Sequence, residues 1–227
     1  MMDTKKIRQY LGIGLAGAII TLAGELIEGL AESVEVDTNL AAMVAPYAKL
    51  PAWRLGLGST VGAIGILIQY FGVMAIYLGF KNKDDGQARR YRAGVYNYVF
   101  VGAVIHVLLT CAMYVYKLDH GAVGEFMTWF CAPLLALFFV GYIWFSVIML
   151  VRIAKGATVF PRWCCVLNPL IGKLIFSVPE EFIPRTSAAL DIVCNGVSNA
   201  NMGITSVIMF LVLLLVKYSG NEDGGEL

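Results

Sequence analysis

An acidic stripe lies at the end of the first apolar segment of the sequence. Its members recur at intervals of three and four residues, which places them on one helix face; they are Glu25, Glu28, Glu32 and Glu35. Ionisable side chains in hydrocarbon are costly and usually face a bundle interior or a cavity. We therefore expect Glu25 to line a polar pocket and Glu32 and Glu35 to be solvated. For Glu28, both environments remain open.

A second polar stripe lies on the last apolar segment. Asp191, Asn195 and Ser198 recur at helical spacing, and Asn199 lies beside them. One asparagine would be explained by a hydrogen bond between helices. Several amides and an aspartate on one segment favour the wall of a polar pocket.

Three isolated polar residues lie near the middle of other apolar segments, and these are Gln69, His106 and Lys173. The imidazole of His106 titrates near neutral pH and would suit a proton relay. A hydrogen bond across helices is the structural alternative for His106.

The elements that must position these residues are membrane helices. The chain has 227 residues, of which 15% are charged and 59% apolar, whereas soluble domains have about 25% charged residues. A helix needs roughly 20 apolar residues to cross a hydrocarbon core of about 30 Å. We predict an all-α, polytopic helical bundle forming a single domain over residues 1–227. About six spans are expected, at residues 10–30, 53–80, 91–116, 126–151, 163–178 and 188–216.

The segment 163–178 is the shortest of the six and contains Asn168 and Pro169. It is either a short span or a re-entrant turn. Twelve of the seventeen Lys and Arg residues precede the first span, separate the second from the third and the fourth from the fifth, or follow the sixth. Cytoplasmic loops collect such residues, so both termini are predicted to be cytoplasmic in a multi-pass protein of the cell membrane. If 163–178 only dips into the membrane, the C-terminus lies outside.

In this orientation the polar residues of distant spans fall at similar depths, mostly in the outer half of the bundle. We therefore predict one outward-facing polar pocket within the membrane. Its candidate residues are Glu25, Glu28, Gln69, His106, Lys173, Asp191, Asn195 and Asn199.

Glycines recur every seven residues along the second span, at Gly58, Gly65, Gly72 and Gly79. Small residues allow helix backbones to approach closely in lipid. Packing against another helix of the same chain is the favoured explanation, and contact with a second copy in a homo-oligomer is the alternative.

The remaining patterns exclude several function classes. A net charge of +1 gives no basic field for nucleic acid. None of the five cysteines stands in a C-x-x-C arrangement and the chain has two histidines, so we predict no metal and no cofactor. The sequence contains no nucleotide-binding P-loop, no H-E-x-x-H and no G-x-S-x-G motif.

Several short motifs resemble those of a known family. They are Gly24-Glu25 in the first span, His106 in the third, and Phe160-Pro161-Arg162-Trp163 followed by Asn168-Pro169. The chain resembles, over most of its length, an uncharacterised family of small bacterial membrane proteins with about six spans. This resemblance implies architecture and a plasma-membrane location.

Three functions fit these observations. The first is binding or transport of a small amphiphilic or cationic molecule in the polar pocket. The second is a membrane-embedded enzyme that performs acid–base chemistry on a lipid or isoprenoid, with Glu25, His106 and Asp191 as candidate catalytic residues. The third is an accessory membrane subunit. The sequence leaves open whether the protein is an enzyme, and we favour binding or transport because no complete catalytic constellation is present.

Overall fold

A computed structural model of the chain describes residues 3–32, 43–180, 183–184 and 186–218. These residues are helical, apart from loops and one isolated antiparallel bridge between Phe80 and Thr158. Five helices are long and apolar enough to cross a membrane, and a shorter helix, α5, precedes the last of them. The helices are α1 Thr4–Gly29, α2 Ala52–Leu78, α3 Gly86–Leu118, α4 Ala122–Ala154, α5 Pro169–Glu180 and α6 Ala188–Leu215. The prediction of an all-helical membrane protein is confirmed.

The segment predicted as the span 163–178 is broken in the structure. A 3-10 helix covers Arg162–Leu167, and α5 begins at Pro169. Pro169 has no backbone N–H and favours a helix start. The side chain of Asn168 accepts from the N–H of Leu170 at 3.0 Å and donates to the Ser146 carbonyl of α4 at 2.8 Å. The described residues therefore contain five continuous helices of spanning length, where the sequence predicted six spans.

The glycines of α2 pack against α1. A Cβ atom added to Gly24 of α1 would lie 2.7 Å from the Cα atom of Gly62, a separation that only glycine permits. Gly58, Gly65 and Gly72 face the same helix, and Gly79 lies against Phe160. All four glycines of the seven-residue repeat are buried within the chain, so in the structure this face is covered by the protein's own residues.

The two ends of the bundle are defined by the antiparallel packing of α1 and α6. Asn195 of α6 donates to the carbonyl of Ala31, just beyond the end of α1, at 2.7 Å. At the opposite end, the guanidinium of Arg8 lies over the ring of Tyr218, 5.4 Å from its centroid. We call the end with Arg8 and Tyr218 the terminal end and the end with Ala31 and Asn195 the loop end.

The carbonyl groups at the C-terminus of α1 are satisfied by side chains from other elements. Arg54 of α2 donates to the carbonyls of Ile27 at 2.5 Å and Leu30 at 2.9 Å. The last carbonyls of a helix have no partner within it and carry partial negative charge, so a cation at this position is favourable. Together, Arg54 and Asn195 fix the end of α1 close to the acidic stripe.

Candidate functional site

The acidic stripe of α1 is buried over most of its length. Thr21 is 2% exposed, Glu25 8% and Glu28 2%, and Glu32 is exposed. Glu35 lies outside the described residues. The stripe faces α2, α3 and α6 because the glycines of α2 bring its backbone close to this side of α1.

Beside this stripe lies a cavity of about 430 Å³, a volume typical of small-molecule sites. It extends from residues 43–47 at the loop end inward to Thr21 and Gln69. One group of lining residues, which we call the polar wall, comes from α1, α2 and α6 and consists of Thr21, Glu25, Gln69, Asn199 and Asn201. A second group of lining residues, which we call the apolar wall, comes from α3 and α4 and consists of Ile105, Leu109, Met113, Leu135 and Phe138. The polar residues Tyr98 and His106 of α3 also line the cavity.

Glu25 is positioned by α6. One carboxyl oxygen, Oε2, accepts from the backbone N–H of Gly203 at 3.2 Å. A Cβ atom at position 203 would collide with this carboxyl, so the glycine lets the acid reach the helix backbone. Asn199 donates from Nδ2 to the backbone carbonyl of Glu25 at 2.8 Å, which joins the two helices at the same level.

Gln69 and Thr21 form the deep part of the polar wall. Gln69 is 3% exposed, and its Nε2 donates to Thr21 Oγ1 at 2.7 Å. The Thr21 hydroxyl donates in turn to the Gly17 carbonyl at 3.1 Å. Gln69 Oε1 is buried and has no hydrogen-bond partner among the described residues.

Glu28, Thr110 and His106 form a cluster at the edge of the cavity. Oε2 of Glu28 lies 4.0 Å from Nε2 of His106, and His106 also lines the cavity. The Thr110 hydroxyl lies 3.0 Å from Oε1 of Glu28 and 3.1 Å from the carbonyl of His106. Glu28 is therefore connected to the site through its neighbours, although it does not itself line the cavity.

Lys173 of α5 is among the residues that line the cavity. Its Nζ atom lies over the ring of Phe139, 5.2 Å from the centroid. A cation over an aromatic face is attracted by the ring quadrupole, so this contact orients the ammonium group.

Two candidates, Asp191 and Asn195, are not among the residues that line the cavity. Asn195 instead donates to the Ala31 carbonyl beyond the end of α1. Asp191 lies in the first turn of α6, where the helix dipole favours a negative charge. At about 1.5 Å per residue, Asp191 is roughly 18 Å along the helix axis from Gly203, which contacts Glu25. The predicted convergence of Glu25 and Asp191 on one cavity is therefore wrong, because the helix register separates them.

Several cavity residues were not predicted from the sequence. Tyr98 lines the cavity from Asn97–Val101, a π-helical stretch within α3. Such a stretch changes the helix register, so a uniform 3.6-residue pattern does not indicate which side chains face inward. Met43, Val44, Pro46 and Tyr47 line the loop end of the cavity; their contribution depends on how the connection between α1 and α2 folds back, for which the sequence carries no short motif.

A family model matches residues 2–219, nearly the whole chain. The chain belongs to DUF6796, a family of unknown function. This fits the predicted resemblance to an uncharacterised family. No significant match was found to a curated protein or to a solved structure.

Proposed function

We propose that this integral membrane protein binds a small amphiphilic molecule in the cavity between α1, α2, α3, α4 and α6. The observation that carries the proposal is the mixed lining of the cavity, in which polar residues of α1, α2 and α6 are combined with apolar residues of α3 and α4. A molecule with a polar head and a short apolar tail matches both walls, because each part then replaces water with a partner of its own kind.

The cavity faces the outside of the cell membrane in the topology that we propose, with one domain over residues 1–227 and both termini cytoplasmic. At the terminal end, the guanidinium groups of Arg8, Arg92 and Arg152 each lie over an aromatic ring. Basic residues collect on the cytoplasmic side of a membrane, so their presence at this end supports the orientation. The broken segment completes a sixth crossing. The segment has six residues of 3-10 helix and twelve of α-helix. At rises of about 2.0 and 1.5 Å per residue, its length is about 30 Å, which matches the thickness of the hydrocarbon core.

We favour binding over transport because the bundle is tightly packed below the cavity. Gly14 and Gly72 are in direct contact, and the ring of Phe210 lies against Gly72. Transport would require a path through this contact towards the terminal end.

Saturable binding of tritiated octan-1-ol to protein in lipid nanodiscs, with empty nanodiscs subtracted, tests the proposal. Leu109→Trp fills the cavity from the apolar wall and should weaken binding at least about tenfold. Val104→Trp is the matched control, because Val104 lies on the same helix but is 52% exposed on its outer face. Equal affinities for the two variants, or no saturable binding to the wild-type protein, would contradict the proposal.

Acid–base chemistry on a lipid is the second candidate function, and the cluster of Glu28, Thr110 and His106 favours it. The Thr110 hydroxyl has one hydrogen and two neighbouring acceptors. When Glu28 is ionised, the Thr110 hydroxyl donates to the Glu28 carboxylate. When Glu28 is protonated, the Thr110 hydroxyl donates to the His106 carbonyl and accepts a hydrogen bond from Glu28. Glu28 therefore keeps a hydrogen bond in both protonation states, as a group that exchanges a proton with the nearby imidazole requires.

Mass spectrometry of total lipid extracts tests this second function. Cells that express the wild-type protein should contain a lipid species that is absent from cells expressing Glu28→Gln or His106→Asn. Identical lipid profiles for wild type and both variants, at equal protein levels, would exclude it.

A further inference from the structure

We propose that the cavity selects amphiphiles whose head group carries N–H or O–H hydrogens, with Gln69 Oε1 and the Glu25 carboxyl as the receiving acceptors. This inference rests on the proposed function and specifies its ligand class: primary amines and alcohols bind, and ethers of the same size and shape are rejected.

The orientation of the Gln69 amide follows from its neighbours. The Thr21 hydroxyl has a single hydrogen, and it is directed at the Gly17 carbonyl at 3.1 Å. With the NH₂ group of the amide facing Thr21 at 2.7 Å, both hydrogen bonds form. With the amide turned over, its oxygen and the Gly17 carbonyl would compete for the one Thr21 hydrogen, so the first orientation is favoured. The carbonyl oxygen, Oε1, must face the other way.

Gln69 Oε1 is an acceptor that lacks a donor in the described part of the chain. The residue is 3% exposed and lines the cavity. A buried acceptor without a partner is unfavourable, and the great majority of buried polar groups are hydrogen-bonded. A donor delivered by a ligand removes this penalty, and a ligand without a donor leaves it in place.

Glu25 adds acceptor capacity on the same wall. A carboxylate has about four lone-pair positions, and among the described residues the Gly203 N–H donates to one of its oxygens, Oε2. The remaining positions are open to a head group that bears more than one hydrogen, such as a primary ammonium.

The donors around the cavity are directed at protein groups. Asn199 Nδ2 donates to the Glu25 backbone carbonyl, Gln69 Nε2 donates to Thr21, and Lys173 Nζ lies over the Phe139 ring. The buried atom of the polar wall that lacks a protein partner in the described residues is therefore an acceptor, Gln69 Oε1, which favours a donor-bearing head group.

A competition series against bound tritiated octylamine tests the inference in nanodiscs. Unlabelled octylamine, octan-1-ol and heptyl methyl ether have the same number of heavy atoms, and only the ether lacks a hydrogen-bond donor. With the wild-type protein, octylamine and octan-1-ol should compete at least about tenfold better than the ether, because the ether leaves a buried acceptor unpaired.

Gln69→Met removes the acceptor and keeps the length of the side chain. This variant should bring the alcohol and the ether within about threefold of each other. Ser59→Ala is the control, because Ser59 is a buried polar residue of α2 that does not line the cavity, and it should retain the wild-type preference. If Gln69→Met does not fold, the wild-type ratio alone decides.

The failures of the two proposals are distinguishable. If the alcohol and the ether compete equally with the wild-type protein, and Leu109→Trp still weakens both, the ligand class is wrong and the binding function stands. If Gln69→Met keeps the full preference, the assignment to Gln69 is wrong. If no probe binds saturably to the wild-type protein, the proposed function itself fails.

Discussion

The terminal end and the cavity each contain a buried polar cluster, and the clusters differ in what lies beside the polar atom that lacks a partner. At the terminal end, Arg152 is 4% exposed and forms an ion pair with Asp85. It also donates to the Asn82 carbonyl at 2.9 Å and lies over the ring of Phe80. We call this group the terminal-end corner. Nε of Arg152 has no partner in the described residues, and Arg152 does not line the cavity. In the deep part of the cavity, Gln69 Oε1 also has no partner in the described residues, but it lies beside open volume.

A structural cluster differs from a binding site in what its polar groups contact. Arg152 connects the α2–α3 loop to the end of α4, and its guanidinium packs on the Phe80 ring. Removal of Asp85 would leave this buried charge without its counter-ion, which is unfavourable. In the cavity, the acceptor Gln69 Oε1 is buried without a partner, which lowers the stability of the free protein. A ligand that donates to this atom would stabilise the protein. A buried polar residue does not by itself indicate function. A buried polar atom that lacks a hydrogen-bond partner and lies beside a cavity does.

The largest effect is expected at the terminal-end corner. Arg152→Ala leaves the Asn82 carbonyl and the Asp85 carboxylate without their partner and uncovers the Phe80 ring. We expect the thermal unfolding midpoint in detergent to fall by about 5–10 °C. Lys155→Ala, an exposed cation on the turn that follows α4, should leave the midpoint unchanged. A similar small change for both variants would mean that the corner does not stabilise the fold.

A smaller effect is expected from pH at the same corner. The N–H of Ala88 and the guanidinium of Arg152 hold the pKa of Asp85 below its ordinary value of 3.8. A carboxyl with a lowered pKa stabilises the folded state above its ordinary value, and this contribution is lost as the pH falls through the lower folded-state pKa. The unfolding midpoint of the wild-type protein should therefore fall more steeply between about pH 5 and pH 3 than that of Asp85→Asn. Asparagine retains a helix cap at this position, so parallel curves would contradict the assignment.

The smallest effect on stability is expected in the cavity. Gln69→Leu removes an acceptor that has no partner in the described residues, and it also removes the hydrogen bond from Gln69 Nε2 to Thr21. The first change is favourable and the second unfavourable, and Thr21 keeps its hydrogen bond to Gly17. We expect the free energy of unfolding to change by no more than about 1 kcal/mol in either direction. A loss as large as that of Arg152→Ala would show that Gln69 belongs to a structural network, and the contrast between the two clusters would disappear.

The sequence predicted the parts of this site that depend on a single helix. The position of Glu25 in the bundle and the solvation of Glu32 were expected from the period of one helix face and the length of one span, whereas the environment of Glu28 stayed open. The placement of Asp191 was wrong because it depends on how α6 slides along α1, and that register is set by contacts such as Gly203 with Glu25.

Other features also depend on information that periodicity does not contain. The broken segment was indicated by Asn168 and Pro169, but its division into a 3-10 helix and α5 depends on the contact of Asn168 with Ser146 of α4. Tyr98 lines the cavity from a π-helical stretch that shifts the register of α3. Residues 43–47 reach the cavity only through the tertiary fold.

The most direct test of the account is chemical labelling of Ser198→Cys, a residue that lines the cavity, in a protein whose five native cysteines are replaced by alanine. A membrane-impermeant thiol reagent is added to right-side-out vesicles with and without octan-1-ol. We predict that the reagent labels position 198 from the outside and that octan-1-ol slows the reaction. No labelling from the outside, or a rate that octan-1-ol does not change, would contradict an outward-facing amphiphile site.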